Sequence, residues 1–343
     1  MYANIFDVDF FTWNKRFYYK IDVKRVYLLD LFSLTISLVK KVIDKDIVIA
    51  LGFPALWESL ILLIFSKIRK IPIFIRDTHW YWPQTKISKL LWPFYFRILK
   101  YVNGILCPGW ASYKYWKSYS FKNVYIVHFY ALESYMTECN YNRQKMRQKL
   151  GIDNDEILFL YLGRLIKKKG VDKIIMTLYK IVKENPEYKV KLLIAGDGPE
   201  RKNLENLCEQ LGITNRVIFL GSIPERLKKC IYQAADIFVY TPIIERIPEE
   251  WGVAPLEALS LGMPTIISTA VGSLPDISGA VLVVKWVDGE DLYRAMKKVI
   301  EDEQLRNYLS KRAIAVYRKL ASETNVKLEL LKAILYALKE HRY

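Results

Sequence analysis

Charged side chains in the second half of the sequence stand where parallel-sheet proteins bind ligands. Arg164 and Lys169 follow a predicted strand in GRLIKKKG, and Gly163 permits a tight turn there. Two fixed cations can match the charge of a diphosphate, and the amino end of a helix beginning near Gly252 adds about half a charge. A solvated basic turn is the alternative interpretation.

Two glutamates lie around the start of that helix. Glu249 and Glu257 stand eight residues apart in EEWGVAPLEALSLGMP. If this segment were helical throughout, the spacing would be about 12 Å, since each residue rises about 1.5 Å. Carboxylates that hydrolyse one glycosidic bond lie about 5 to 9.5 Å apart. The spacing favours two separate contacts along an extended ligand. A capped helix with one salt-bridged glutamate is the alternative.

Metal ligands are not prominent in the sequence. Asp7 and Asp9 form an Asp-x-Asp pair outside any nucleotide-binding context, and we interpret them as structural. No carboxylate cluster suited to Mg²⁺ follows the predicted strands of the second half. We therefore predict no metal site and no cofactor.

The elements that position these residues alternate between strand and helix. In the second half the predicted strands are apolar on both faces, which indicates a parallel sheet covered by helices. The predicted strands are EILFLYLGR, KVKLLIAG, RVIFLG, DIFVYTP, PTIIS and AVLVVKW. From about residue 289 the chain is predicted to be helical to its end.

The first half shows the same alternation of strands and helices less clearly. Its predicted strands are KRVYLL, DIVIALG, IPIFIRD, GILCPG and NVYIVHF, with helices near 31–43, 55–69, 86–101 and 111–119. We predict an α/β fold of two Rossmann-like, doubly wound domains that face an interdomain cleft. The predicted domains are 1–150 and 151–325, followed by a helix over 326–343 that packs back toward the first domain.

The positive charge is concentrated in the first half. The 343 residues carry a formal net charge of +16, from 52 Lys plus Arg and 36 Asp plus Glu. Residues 1–150 contribute 23 basic and 10 acidic side chains, a net +13, and the remainder contributes +3. The field that would attract an anionic partner therefore belongs to the first domain.

Composition excludes several classes of protein. A 52% hydrophobic content is too high for a disordered chain. The four cysteines match neither a zinc site nor a disulfide scaffold, so a reduced, cytoplasmic chain is expected. No apolar run reaches the roughly 18 residues of a membrane span, and the acidic start is unlike a signal peptide.

Six segments occur in the order that is typical of one enzyme family. They are GRLIKKKG, AGDGP, VIFLGSIP, AADIFVYTP, the segment with both glutamates, and PTIISTAVGSLPD. Together they closely resemble the donor-binding domain of glycosyltransferase family 4, whose members are retaining enzymes of the GT-B fold. The resemblance is strong over about 156–290. It implies transfer of a sugar from a nucleoside diphosphate-sugar, without an essential metal.

The resemblance also implies a role for each site residue. Arg164 and Lys169 would hold the donor diphosphate beside Gly163, and Glu249 would contact the transferred sugar. Glu257 would bind the ribose hydroxyls. The donor-binding set is completed by two backbone amides that meet phosphate and sugar and by a side chain near the base: Gly252, Val253 and Ile223.

The first half matches this family more loosely. His79, after IPIFIRD, matches the histidine that faces the sugar across the cleft, which makes it a catalytic candidate; a satisfied loop histidine is the alternative. His128 and His341 are interpreted as structural. Two departures stand out: the glycine-rich loop after the first strand is absent, and TPIIERIPEE replaces the usual proline-serine. Glu245 or Glu250 could therefore take the role given to Glu249.

The acceptor is predicted from the first domain. KISKLLWPFYFRILKYV at 86–102 interleaves lysine and arginine with aromatic residues, as helices in a lipid headgroup layer do. We expect a hydroxyl acceptor, lipid-linked or a growing glycan, and peripheral docking on an anionic membrane. Buried aromatics with solvated lysines are the alternative. Two rival functions are a nucleic-acid-binding or DNA-glycosylating protein, for which no motif is present, and a non-catalytic GT-B protein.

Overall fold

A computed structural model of the chain describes residues 47–51, 56–81, 86–128, 139–244, 248–285, 289–321 and 323–340. These residues form two units. The first contains the described residues up to Pro108, with Ser112–His128 and the end of the chain from Val326; the second contains those of Phe129–Asn325, with Gly109–Ala111. The predicted elements before residue 47, and the pair Asp7 and Asp9, lie outside the described residues.

The first unit is built on a parallel sheet. Its strands are β1 (Val48–Leu51), β2 (Ile73–Arg76), β3 (Gly104–Cys107) and β4 (Val124–Ile126), in the order β1-β2-β3-β4. The helices between them are α1 (Leu56–Arg69), α2 (Lys86–Leu99) and α3 (Trp110–Ser118). Ile73, Phe74 and Ile75 in β2 are fully buried, as expected for a central parallel strand covered on both faces.

Aromatic side chains fill the core of this unit. Trp92, Tyr95 and Leu99 repeat every three or four residues along α2 and are buried against the sheet. The ring of Trp92 stacks on that of Trp116 from α3, with centroids 6.0 Å apart. The aromatic enrichment of the first half is thus partly a core feature, and the opposite face of α2 carries the lysines.

The second unit has a six-stranded parallel sheet in the order β10-β9-β8-β5-β6-β7. Its strands are β5 (Ile157–Leu162), β6 (Val190–Ala195), β7 (Val217–Gly221), β8 (Ile237–Tyr240), β9 (Thr265–Ser268) and β10 (Leu282–Val284). Its helices are α4 (Arg143–Lys149), α5 (Val171–Glu184), α6 (Arg201–Gln210), α7 (Glu225–Ala234), α8 (Val253–Ser260), α9 (Leu274–Ile277), α10 (Glu290–Glu301) and α11 (Glu303–Ala321). Two parallel-sheet α/β units confirm the predicted fold class.

The strand order of this sheet contains a topological switch point. The chain runs from β5 outward through β6 and β7, then returns to the other side of β5 and continues outward through β8, β9 and β10. The loops that follow β5 and β8 therefore leave in opposite directions. In open α/β sheets this divergence, at the carboxyl ends of the strands, is where ligands bind.

The second unit begins before the predicted boundary near residue 150. Helix α4 precedes this boundary, but it packs on α7 and belongs to the second unit. The reason is Arg147, whose side chain is only 1% exposed. Its guanidinium donates to the carbonyls of Ala234, Asp153 and Glu156 and contacts the Asp236 carboxylate at 3.2 Å.

A disulfide reinforces the same junction and corrects the expectation of a fully reduced chain. Cys139 is bonded to Cys230 of α7, and their Cα atoms are 5.2 Å apart. The two cysteines are separated by 91 residues, so no local spacing pattern marks them as partners. Cys107 and Cys208 are free and buried.

The last helix belongs to the first unit. Helix α12 (Glu323–Glu340) buries Val326, Leu330 and Ala337. Glu329 accepts hydrogen bonds from the backbone amide of His128 at 3.0 Å and faces its Nδ1 at 2.7 Å. No helix in the described ranges is long and apolar enough to cross a membrane.

Replacing Arg147 by Met should lower the free energy of unfolding by about 3 to 5 kcal/mol, because it removes one partner of a buried charge pair and leaves buried acceptors unmatched. Arg143→Met is the matched control. Arg143 pairs with the same Asp236, but its side chain is 42% exposed, so its loss should cost at most about 1 kcal/mol. Urea unfolding followed by far-ultraviolet circular dichroism measures both. Equal losses would contradict the assignment of Arg147 as the central residue of this junction.

Candidate functional site

Lys169 lies at the topological switch point of the second sheet. It ends a 3₁₀ turn, Lys167–Lys169, in the loop after β5. The amide of Ile243, in the loop after β8, donates to the Lys168 carbonyl at 2.8 Å and ties the two loops together. Gly170 makes this approach possible: its φ is 65°, and a Cβ there would lie 2.5 Å from the Thr241 carbonyl oxygen.

Lys169, Tyr240 and Glu249 form a buried polar cluster at this point. The Lys169 Nζ donates to the Tyr240 hydroxyl at 2.6 Å and to the Glu249 Oε2 at 2.7 Å. The Tyr240 hydroxyl also hydrogen-bonds Glu249. Lys169 is only 9% exposed, and Lys168 adds a second cation 3.6 Å from the same carboxylate.

Burial and pairing oppose each other in this cluster. Burial by itself would raise the pKa of Glu249, but the charge and hydrogen bond of Lys169 lower that pKa below its usual range. Burial also lowers the pKa of Lys169, because desolvation disfavours the ammonium more than Glu249 favours it. The carboxylate therefore stays ionised at neutral pH, and the lysine loses its proton more readily than an exposed lysine.

Backbone pairing fixes Glu249 in place. Its amide donates to the Ala270 carbonyl at 2.9 Å, and its carbonyl accepts from the amide of Gly272 at 3.0 Å. These bonds attach the long loop after β8 to the segment after β9. Glu249 thus lies outside the helix, so the helical spacing of about 12 Å to Glu257 does not apply. Glu250 is exposed, and Glu245 lies outside the described residues.

Arg164 is exposed in the loop after β5, unlike Lys169. Its carbonyl accepts a hydrogen bond from the Tyr161 hydroxyl at 3.1 Å, which fixes the backbone rather than the guanidinium. The turn at Gly163 packs tightly against the loop that follows β6, since a Cβ at Gly196 in that loop would lie 1.9 Å from the Gly163 carbonyl oxygen. The loop backbone is therefore rigid while the Arg164 side chain is accessible.

Helix α8 begins beside the polar cluster. Gly252 is its N-cap, with a φ of 78°, and a Cβ there would lie 2.8 Å from Val271 and 3.4 Å from the Tyr240 ring. A larger residue would clash, so the helix start can come this close to Tyr240 only with glycine. The amides of Gly252 and Val253 belong to the first turn, where the helix dipole favours an anion.

Glu257 is held by two side chains of α7. The Lys228 Nζ lies 2.5 Å from its Oε1, and the Tyr232 hydroxyl donates to its Oε2 at 2.9 Å. Burial raises the pKa of Glu257 above its usual value, and Lys228 opposes that shift. Ile223, in the loop that precedes α7, is half-buried and packs against the hydrophobic core.

His79 lies in the first unit, at the carboxyl end of β2. The buried Asp77 carboxylate accepts from the His79 amide and faces its Nδ1, both at 2.8 Å. Tyr95 donates to Asp77 at 2.6 Å, and the Trp116 indole donates at 3.3 Å. Burial would raise the pKa of Asp77, but His79 and these hydrogen bonds lower it below the usual range.

Sequence reasoning missed the partners that orient the predicted residues. These are Tyr240 for Lys169, Lys228 and Tyr232 for Glu257, and Asp77 with Tyr95 for His79. The position of Tyr240 at the end of β8 was a usable signal. In a doubly wound sheet the first and fourth strands along the chain are neighbours, so the end of β8 lies next to the loop after β5. Asp77, two residues before His79, was another.

A family comparison agrees with this arrangement. The model of the family described as "Glycosyl transferases group 1" matches residues 142–316, which is half of the chain. The chain belongs to this family. The matched region contains every predicted donor-binding residue of the second unit and excludes His79. The nucleic-acid alternative is not favoured by this membership.

Several relatives carry related names. An uncharacterised glycosyltransferase of Methanocaldococcus jannaschii is 33% identical over 166 residues, which cover 48% of this chain and 40% of that protein. The alpha-monoglucosyldiacylglycerol synthase of Streptococcus pneumoniae is 35% identical over 125 residues, covering 36% of this chain and 27% of that protein. The chain thus spans less than half the length of these relatives.

Solved structures with the same fold extend the comparison over both units. Anabaena HepE, crystallised with UDP, has a TM-score of 0.76 at 17% identity and covers 91% of this chain and 86% of that one. The same protein with UDP-glucose gives a TM-score of 0.70 at the same identity and coverage. At this identity the likeness shows the fold, which is GT-B.

Within the ranges that the structure describes, no group of three or more His, Cys, Asp or Glu side chains is arranged to hold a metal ion.

The Asp77 carboxylate should fix the tautomer of His79, because an ionised carboxylate can only accept and therefore requires a proton on Nδ1. With three histidines in the chain, nitrogen-15 labelling of histidine resolves the rings, and His79→Gln identifies the signal. Long-range proton–nitrogen spectra at pH 8 should show a protonated Nδ1 for His79. A proton on Nε2 alone would contradict the hydrogen-bond assignment.

Proposed function

We propose that this protein is a retaining, metal-independent glycosyltransferase that moves a sugar from a nucleoside diphosphate-sugar to a hydroxyl acceptor. The observation that carries the proposal is the buried Lys169 at the switch point, hydrogen-bonded to Tyr240 and Glu249 beside the start of α8. Family membership and the UDP-bound structures of the same fold support it.

The diphosphate is the part of the donor that this site suits best. Lys169 supplies a cation that is largely shielded from solvent. In such surroundings the attraction between a cation and an anion is stronger than in water. Lys168 lies close by, and the amides of Gly252 and Val253 contribute the positive end of a helix. The exposed Arg164 adds an accessible guanidinium that suits phosphate geometry. These groups together replace the charge that a divalent metal would supply.

In the proposed reaction the bond between the anomeric carbon and the diphosphate oxygen breaks. Its electron pair leaves with the diphosphate, which Lys169, Arg164 and the helix start stabilise as negative charge develops. The acceptor hydroxyl attacks the anomeric carbon from the face that the diphosphate leaves, and its proton passes to a diphosphate oxygen. Attack on that face retains the anomeric configuration.

Two residues are proposed to contact the sugar. Glu249 is ionised and fixed by backbone bonds, so it offers a rigid acceptor for sugar hydroxyls next to the diphosphate groups. His79 takes the sugar-facing role that the family resemblance implies, with its ring oriented by Asp77. Ile223 is proposed to lie near the base.

Replacing Lys169 by Ala should lower kcat/KM about 30- to 1000-fold, equivalent to about 2 to 4 kcal/mol, because one preorganised charge partner of the leaving group is lost.

A thermal-shift screen of UDP-, GDP- and ADP-sugars identifies the donor first, since ligand at 100 times its Kd stabilises by about 2.7 kcal/mol. Release of nucleoside diphosphate is then measured with and without EDTA.

Lys167→Ala is the matched control, since Lys167 is an exposed lysine of the same 3₁₀ turn. It should retain turnover close to that of the wild type. Unchanged turnover in Lys169→Ala would refute the diphosphate site, and loss of activity in EDTA would refute metal independence.

We further propose that the acceptor is lipid-linked and that α2 docks on an anionic membrane surface. Leu90 is 78% exposed and Phe94 is 46% exposed on the face opposite the buried aromatics. The same face carries four basic side chains and α2 has no acidic residue, so it combines apolar insertion with attraction to anionic headgroups. The exposed basic side chains are Lys86, Lys89, Arg97 and, just after the helix, Lys100. The name of the S. pneumoniae relative includes a diacylglycerol product.

Replacing both Lys89 and Lys100 by Gln should weaken binding to vesicles that contain 30% anionic lipid by about 2 kcal/mol at low salt, since each basic residue near the surface contributes about 1 kcal/mol. Lys202→Gln/Lys298→Gln removes the same charge from exposed positions of the second unit and should bind as the wild type does. Co-sedimentation measures partitioning. Equal binding to neutral and anionic vesicles would exclude this docking mode.

A further inference from the structure

We propose that Lys228 and Tyr232 are positioning residues that hold Glu257 as a charged, oriented acceptor for the two ribose hydroxyls of the nucleotide. The inference rests on the proposed function, because it assumes that a ribonucleotide occupies the second unit. The family resemblance implies the ribose role of Glu257, and the inference goes further by naming the side chains that orient Glu257 for it. These belong to a helix, α7, that carries no residue of the predicted site.

The geometry of the pair is specific. Lys228 and Tyr232 are four residues apart on α7, so they lie on one face of the helix, one turn apart. Each contacts a different oxygen of Glu257, at 2.5 Å for the Lys228 Nζ and at 2.9 Å for the Tyr232 hydroxyl. The carboxylate is thus fixed at both ends, and its plane cannot rotate without breaking one contact.

Burial makes the pairing necessary. Glu257 is only 5% exposed, and no other residue of α8 is charged. The side chains that act on it most strongly come from α7: Lys228, Tyr232 and Glu225, the last of which also lies 3.5 Å from Lys228. Lys228 is the cation among these three.

Loss of that cation changes the charge of Glu257 in a defined direction. Burial already raises the pKa of Glu257, and Lys228 is the main influence that lowers it. Without Lys228 the pKa rises further, so the carboxyl group becomes protonated at a higher pH than in the wild type. An ionised carboxylate accepts from both hydroxyls of a vicinal diol, whereas the protonated acid carries a donor of its own and has fewer acceptor sites.

The ribose diol gives this difference a direct readout. A 2′-deoxynucleotide lacks one of the two hydroxyls, so the ratio of affinities for UDP and 2′-deoxy-UDP reports the contact with Glu257 and cancels the phosphate contacts. A hydrogen bond to a charged group contributes enough to produce a preference of about 10-fold for the ribonucleotide. A purely structural role for Lys228 would lower both affinities and leave their ratio unchanged.

The experiment measures the affinity of the full-length protein for UDP and 2′-deoxy-UDP by titration calorimetry from pH 6 to pH 8.5. If GDP or ADP binds the wild type better, that nucleotide and its deoxy form are used instead. The wild type should keep a preference of about 10-fold across this range. In Lys228→Met the preference should fall below about 3-fold at pH 6 and increase as the pH rises.

Lys229→Met is the matched control, because Lys229 is the adjacent lysine of α7 and the change removes the same charge. It should reproduce the wild-type ratio at every pH. Tyr232→Phe removes one hydrogen bond and leaves Lys228 in place, so it should lower the ribose preference. Because that hydrogen bond lowers the pKa of Glu257 less than Lys228 does, the effect should depend on pH less steeply than in Lys228→Met. This variant also tests the proposal if Lys228→Met does not fold.

The outcomes separate the two proposals. If the wild type binds none of UDP, GDP and ADP, the proposed function is wrong and this inference fails with it. If the wild type binds one of them, but Lys228→Met and Tyr232→Phe keep the wild-type preference at every pH, the proposed function stands and the positioning role is refuted.

Discussion

The candidate site depends on a lysine that is buried and charged at the edge of a hydrophobic sheet. An isolated ammonium in that position would be costly to desolvate, and the cost is offset by the Tyr240 hydroxyl and the Glu249 carboxylate. The same contacts orient the Lys169 Nζ. An anion that displaces part of this pairing therefore meets a cation that is already oriented, which is the condition for strong electrostatic stabilisation.

This pairing places demands on the backbone around it. The loop after β5 must pass close to the loop after β8, and Gly170 allows the approach because a Cβ would collide with the Thr241 carbonyl. The start of α8 must come close to Tyr240, and Gly252 allows that. Gly170 and Gly252 are thus consequences of one constraint, the convergence of two loops and a helix end on Lys169.

Much of the second unit is predictable from sequence, because its strands are continuous apolar runs and its charged residues follow strand ends. Arg164 and Lys169 are singled out in this way, and Glu249 and Glu257 are singled out by their spacing around the start of a helix. Their partners are not, because a tyrosine at the end of β8 or in α7 resembles a core residue until the neighbouring element is known. The Cys139–Cys230 disulfide is hidden for the same reason: only the packing of the second unit brings two distant positions together.

Glu249 and Glu257 show how one residue type acquires two chemical roles. Both are largely buried and both contact a lysine and a tyrosine, yet the pKa of Glu249 is lowered and that of Glu257 is raised. The difference follows from their surroundings, since Glu249 has two lysines nearby and Glu257 has one lysine with Glu225 close to it. Glu249 is thus secured as an anion beside Lys169 and Lys168, while Lys228 and Tyr232 only partly offset the effect of burial on the pKa of Glu257.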